Sequence, residues 1–309
     1  MNNDKTIVTA TNKNFIWGAY LLIASLRYHN VSVRVHILAQ GLTEKDKELL
    51  TQFENVKVFE TSDPRNLTLL KPDAILTADS EHITWIDADC IVVGDITKYL
   101  TAPGESLQIR LRSKEQVTLL YKVYFGIADK DSAIPKGVLE VWKKDVNERD
   151  VPAIETTCLA HCFTLHRKHI NFIRKWQRQI SKVVPSAVDI SDTKSFAYHM
   201  TDESVLNSLL VFAYDAPPLT DLLLDKDQNA YILHYNRYPK PWKMWRLQHL
   251  KYFDLFISII EWVQNKGYKT PPIPWSLKRK NKLICYSLAY IYKFAEKIRN
   301  RLRRKIYKT

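Results

Sequence analysis

The apolar positions at the start of the chain switch between two periods. KTIVTAT, Lys5 to Thr11, is an apolar run ending in small polar residues and predicts a buried strand. IWGAYLLIASLRYH follows a helical period, with Leu22, Ser25, Leu26 and His29 on related faces. VSVRVHIL alternates at Val31, Val33, Val35 and Ile37, a strand pattern. Thr43 is placed to cap EKDKELLTQF as a helix, and NVKVFE predicts the next strand. Strand, helix, strand, helix, strand is the order of βαβ units. The expected class is therefore α/β, with a Rossmann-like, mostly parallel central sheet flanked by helices.

Further on, DAILTADSEHITWIDADC predicts a helix, a turn and a strand that CIVVGDI continues. From Leu100 to Pro152 no period stands out. CLAHCFTLH predicts a strand, followed by a helix from about Lys168 to Val183. DESVLNSLLVFAY predicts a helix, AYILHY a short strand, and YFDLFISIIEWVQNKG a helix that Gly267 ends. The proline-rich YKTPPIPW marks the clearest boundary. The expected organisation is one α/β domain over 1–266, a hinge over 267–276 and a helical tail over 277–309.

Charge changes this picture only in the tail. Among 309 residues, 46 are Lys or Arg and 33 are Asp or Glu, a formal charge of +13. Twelve of the basic residues, against the single acid Glu296, lie from Lys278 to Thr309, so the body carries only about +2. Overall basicity is thus no argument for a nucleic-acid partner, and none is expected. In the tail, Leu283, Ile284, Leu288, Ile291, Tyr292, Ala295, Ile298 and Leu302 recur at helical spacing between basic ends. Such a helix suits an anionic membrane surface; a nucleic-acid backbone or plain solvent are the alternatives. No run is long enough to span a bilayer, and the first residues lack the pattern of a signal peptide. Cys90, Cys158, Cys162 and Cys285 are few and scattered, as in a reducing compartment. A cytoplasmic protein, peripheral on the inner face of the cell membrane, is expected.

Two carboxylates carry the first chemical signal. Asp87 and Asp89 close the apolar run ITWIDADC, and strand alternation would turn both the same way. Ligands bind open α/β sheets beyond the carboxyl ends of the strands. Like charges that close stay ionised together beside a cation, and hard oxygen donors suit Mg2+ or Mn2+ bridging to a diphosphate. A simple turn after a strand accommodates the same pair. In YILHYNRYPKPW, His234 could complete a mixed O/N shell, which leans toward Mn2+, or be a satisfied core histidine. Lys240, between Pro239 and Pro241, could reach phosphates as a point charge. The seven glycines stand apart, and no glycine-rich phosphate loop occurs. In CLAHCFTLHRKH, strand alternation separates Cys158 and Cys162 from His161, which argues against zinc.

Four blocks in order, IVTATNKNFIWGAYL, IDADCIVVGDI, DESVLN and HYNRYPKPW, resemble the GT-A-fold glycosyltransferases. The likeness is greatest to family 8, the retaining bacterial lipopolysaccharide galactosyl- and glucosyltransferases and the glycogenin group. KPDAIL before the second block fits the wider superfamily. The resemblance implies transfer of a hexose, galactose or glucose, from a UDP-sugar to a lipid-linked or saccharide acceptor such as lipopolysaccharide or another surface glycan. It implies Thr9, Ala10, Thr11 and Asn14 at the nucleotide. It also implies Asp87, Asp89 and His234 on Mn2+ (or Mg2+), Lys240 on the diphosphate, and Asp202 and Glu203 at the reacting sugar. Two positions depart from the pattern: Arg237 stands where the family has glycine, and Glu203 where it has glutamine. A carboxylate at 203 could stabilise an oxocarbenium-like transition state, attack the anomeric carbon, or merely complement a helix dipole. An inverting GT-A enzyme and a non-catalytic basic binding module are the rival readings.

Overall fold

The alternating N-terminal pattern forms β1 (Lys5–Asn12), α1 (Ile16–Tyr28), β2 (Arg34–Gln40), α2 (Glu44–Thr51) and β3 (Val56–Thr61) in a computed structural model. The structure describes residues 4–129, 131–184 and 196–306. Thr43 does cap α2: its hydroxyl accepts the Asp46 N–H (3.2 Å), and the Asp46 carboxylate accepts the Thr43 N–H (3.1 Å). A short α3 (Lys71–Ile75) precedes β4 (His82–Ile86) and β5 (Cys90–Val93).

The continuous strand expected across the two aspartates is not formed. The chain leaves the central sheet after Ile86 and turns, the Cys90 N–H donating to the Asp87 carbonyl (3.0 Å). The next residues enter a separate two-stranded sheet as β5. The stretch with no readable period holds β6 (Leu107–Leu111), α4 (Lys114–Phe125) and α5 (Lys136–Val146). Val117, Tyr121 and the half-buried Phe125 pack on the core from α4, while Leu119 and Val123 face solvent, so its apolar stripe is blurred. Next come β7 (Cys158–His166), α6 (Ile170–Val183), α7 (Asp202–Phe212), β8 (Leu219–Asp221), β9 (Tyr231–His234), α8 (Phe253–Asn265) and α9 (Lys282–Ile306).

The main sheet runs β3-β2-β1-β4-β7-β6-β8. β3, β2, β1 and β4 are mutually parallel, as are β6 and β8, and β7 is antiparallel to both its neighbours. Successive residues feed opposite cores: Ile7 and Ile37 pack with α1 and α8, Val8 and Leu38 with α5, α6 and α7. After β1 the chain moves outward through β2 and β3, then crosses back to place β4 on the other side of β1. The β1/β4 carboxyl edge is therefore a topological switch point, where α/β sheets bind ligands.

The proline-rich segment is tied to the body. Pro272 accepts the Trp17 indole N–H (3.3 Å), and the Lys269 carbonyl accepts Tyr20 (2.8 Å) and Gln52 (2.7 Å). The tail helix α9 buries Cys285 and Ala289 and sets Glu296 on Arg246 (3.0 Å). Its opposite side leaves Leu283, Ile284, Ile291, Phe294 and Ile298 exposed. Leu302 of the expected apolar set has a side chain outside those described. Among the described residues no helix is long and apolar enough to cross a membrane.

Gly94 follows β5 at φ +78°, where a Cβ would lie 1.8 Å from the Asn229 carbonyl oxygen. Gly94→Ala is expected to cost at least ~3 kcal/mol, combining left-handed strain with a backbone clash. Gly41→Ala, at φ +64° in open space, is expected to cost about 1 kcal/mol. Urea unfolding of the two variants measures the difference.

Candidate active site

Asp87 is the first residue beyond β4, and β7 fixes its backbone: its N–H donates to the His161 carbonyl (2.8 Å). Asp89 ends the turn, and its carbonyl accepts the Tyr235 N–H (3.0 Å). β5 pairs with β9 so that Cys90 lies opposite His234. His234 Nε2 thereby comes 3.3 Å from Asp89 Oδ1 and 3.8 Å from Asp87 Oδ2. Convergence is real, but its cause is a turn and a second sheet rather than strand alternation. Helix α1 closes against this turn at Gly18, where a Cβ would lie 2.4 Å from the Ala88 carbonyl oxygen.

Each aspartate gives its other oxygen to a lysine. Lys71 Nζ lies 2.9 Å from Asp87 Oδ1 and 2.9 Å from Asp202 Oδ2, and donates to the Ala160 carbonyl (3.1 Å). The Trp85 indole N–H also donates to Asp87 Oδ1 (2.7 Å). Burial works against the Lys71 charge, but Asp202 and Asp87 outweigh it and hold the ammonium above its ordinary range. Burial pushes the Asp202 carboxyl up, against the pull of Lys71. Lys240 Nζ lies 2.6 Å from Asp89 Oδ2 and donates to the Tyr235 carbonyl; the residue is only 3% exposed. Burial opposes ionisation of Asp89, and the bonds and charges of His234 and Lys240 more than reverse this.

Asp202 and Glu203 open α7 and are 5% and 9% exposed. Thr201 before them has φ +44° and ψ −111°, a strained geometry for a β-branched residue, and its hydroxyl donates to Asp202 Oδ1 (3.1 Å). Both oxygens of Glu203 are engaged: Oε1 accepts Arg112 (2.6 Å) and Oε2 accepts the Ala160 N–H (3.0 Å). Arg112, just past β6, also donates to the Cys158 carbonyl (2.7 Å) and to Thr157 (3.0 Å). Asn207 completes the DESVLN block by docking α7 on β7, accepting the Cys158 N–H (2.7 Å).

Thr9, Ala10 and Thr11 are buried toward the end of β1, and Asn14 is exposed. Lys71, Arg112 and Phe15 also lie here without having been singled out in the sequence, and so does His161, which was weighed there only as a zinc ligand. Lys71 begins the KPDAIL block, the one signal available for it. Phe15 packs edge-on against Tyr238 and Trp242, each at 6.2 Å, with Lys240 Nζ 5.8 Å from its ring. His161 stacks on His234, and burial, with His234 and Lys71 nearby, pushes its pKa down to about 3. Cys158 and Cys162 are both buried, but in opposite cores rather than on the one face that strand alternation predicts, the β6/β7 pairing being irregular between them.

Among the described residues, Asp89, Cys90 and His234 form a group whose ligand atoms lie within 4.8 Å of one another. Cys90 is a poor member: burial, reinforced by Asp89, pushes its thiol well up and keeps it neutral. Asp87 is the better third donor. Two carboxylate oxygens and one imidazole nitrogen fit a divalent cation such as Mn2+ or Mg2+.

No protein-family model matches the chain, and no curated protein sequence does. Solved structures do match. The glycosyltransferase GlyE of Streptococcus pneumoniae aligns over 87% of this chain and 65% of its own, with TM-score 0.51 and 15% identity. The chain thus spans about two thirds of GlyE. The galactosyltransferase LgtC, in complex with donor and acceptor sugar analogs, aligns over 77% of this chain and 89% of its own, with TM-score 0.46 and 15% identity. The fold is that of the GT-A glycosyltransferases.

Removing Lys71 leaves Asp87 and Asp202 without their cation. Lys71→Met is expected to cost about 3–5 kcal/mol, and adding Asp202→Asn to recover at least ~1 kcal/mol of it. Chemical denaturation of the single and double variants checks both figures.

Proposed function

We propose that the chain is a metal-dependent glycosyltransferase that moves a hexose, galactose or glucose, from a UDP-sugar to a lipid-linked or saccharide acceptor with retention of configuration. One observation carries this reading. Two carboxylates and an imidazole converge where the sheet reverses direction, in a fold shared with glycosyltransferases. Asp87, Asp89 and His234 would hold Mn2+, or Mg2+, whose charge opposes that of a donor diphosphate.

The chain's own residues supply the rest. The end of β1 at Thr9, Ala10 and Thr11, with exposed Asn14, faces the nucleotide, and the half-buried Phe15 ring offers its base an apolar surface. Negative charge gathers on the diphosphate as the anomeric bond breaks, and cations placed there lower the barrier. Lys240 reaches that task by exchanging Asp89 for a phosphate oxygen. Arg237, exposed in the same loop, is a second cation at the mouth.

Glu203 acts through its field and by fixing the Ala160 peptide, its two oxygens accepting Arg112 and the Ala160 N–H. Retention of configuration rests on the likeness to family 8; Asp202 is held by Thr201 and Lys71, and Glu203 by Arg112. The exposed apolar face of α9, with Lys293, Lys297 and Arg299 on the same helix, suits an anionic bilayer surface where a lipid-linked acceptor lies. Lipopolysaccharide or another surface glycan is the natural acceptor class, met at the cytoplasmic side of the membrane.

In a thermal-shift panel, UDP-hexoses at a hundredfold excess over Kd are expected to raise Tm by at least ~4 °C with Mn2+ and not with chelator. No shift with any of them overturns the reading. Asp87→Asn is expected to lower transfer at least about a hundredfold. Glu203→Gln is expected to retain transfer within about tenfold, and capture of a glycosyl adduct on Glu203 would refute the electrostatic role. Ile291→Ser with Phe294→Ser is expected to cut co-sedimentation with anionic vesicles at least ~10-fold at unchanged Tm.

A further inference from the structure

His161 belongs to β7, a strand that supplies no donor to the proposed metal site. Its ring nevertheless lies flat on that of His234, with centroids 4.5 Å apart and planes 12° from parallel. Parallel imidazoles direct their in-plane lone pairs side by side, not toward a common point. An ion at bonding distance from His234 Nε2, about 2.0–2.2 Å, is therefore out of reach of a comparable bond to His161. The second histidine is not a further ligand.

What it supplies is orientation. The torsion that sets an imidazole plane has a broad, weakly preferred range, so the rotamer alone does not aim the ring. Metal-binding histidines ordinarily solve this with a hydrogen bond from the second nitrogen. Among the described residues, His234 makes polar contacts through Nε2, to Asp87 and Asp89, and none is made by Nδ1. His234 also ends β9, a strand of four residues in a two-stranded sheet, with a side chain 23% exposed. Its polar restraint is thus confined to Nε2, the atom that would have to meet the ion.

We infer that His161 is a positioning residue, a flat platform whose stacking holds His234 Nε2 between Asp87 and Asp89. The platform is itself fixed: the His161 carbonyl accepts the Asp87 N–H (2.8 Å), and the neighbouring Cys162 pairs with Ile86 across β4 and β7. One backbone bond thus registers both a donor and the group that aims another donor. The inference rests on the metal site of the proposed function.

The test uses the full chain and Mn2+ alone, with affinity read by electron paramagnetic resonance. His161→Ala and His161→Leu, the latter keeping bulk without a flat ring, are expected to weaken Mn2+ binding about 10–100-fold. His161→Phe, which keeps a flat ring, is expected to stay within about threefold of wild type. In metal-free protein, the His234 ring-proton shifts are expected to move in the Ala and Leu variants, and to stay displaced by ring current in the Phe variant. Wild-type affinity in His161→Leu, or equal loss in His161→Phe and His161→Leu, overturns the platform. Failure of the metal site is a separate result: wild type and His234→Ala then bind Mn2+ equally weakly, and both readings fall although the ring-proton shifts persist.

Discussion

Four charged side chains around one short turn set the terms for the rest of this molecule. Asp87 and Asp89 face one imidazole with one oxygen each and one lysine with the other. Carboxylates brought so close in a half-buried place remain ionised only if cations stand beside them. Lys71 and Lys240 meet that requirement from opposite sides. Lys71 comes from α3 and joins β4, β7 and α7 through Asp87, the Ala160 carbonyl and Asp202. Lys240 comes from the loop after β9 and joins it to the turn. The switch point of the sheet is thus held together by these ion pairs.

The same logic explains the departure at Glu203. An amide there could satisfy the Ala160 N–H without further help. A carboxylate at 9% exposure needs a counter-charge, and Arg112 provides it at 2.6 Å while spanning two carbonyl and hydroxyl acceptors of the neighbouring segment. The extra negative charge is therefore matched locally. The carboxylate becomes part of the framework that fixes Ala160 between Lys71 and Glu203.

The tail helix combines two amphipathic surfaces in one sequence. Cys285, Ala289 and Glu296 face the body, where Arg246 reaches Glu296 and stacks over Tyr292 at 5.4 Å. Leu283, Ile291 and Phe294 lie on the solvent side. Burying the small residues and exposing the large ones is the reverse of what a helix docked by hydrophobic burial alone would do. The tail is therefore ordered against the body by a narrow seam, and its broad apolar face stays outward.

Local periodicity was enough to determine the alternating strands and helices from β1 to β3, the Thr43 cap, α6, α7 and α8, because each depends on contacts within a few residues. Residue chemistry and the family resemblance, not periodicity, grouped Asp87, Asp89, His234 and Lys240, and the structure brings these four side chains together. Periodicity misread the strand through the aspartates, because an apolar run looks the same whether it stays in one sheet or passes into another. Lys71, Arg112 and His161 carried almost no local signal: a lysine opening a short helix, an arginine after a strand, a histidine in a core strand. Their contacts run to partners 131, 91 and 73 residues away, Lys71 to Asp202, Arg112 to Glu203 and His161 to His234. Only the tertiary structure decided which lysine meets which aspartate and which ring lies on which, because electrostatic and stacking contacts are set by distance in space, and sequence spacing does not encode it.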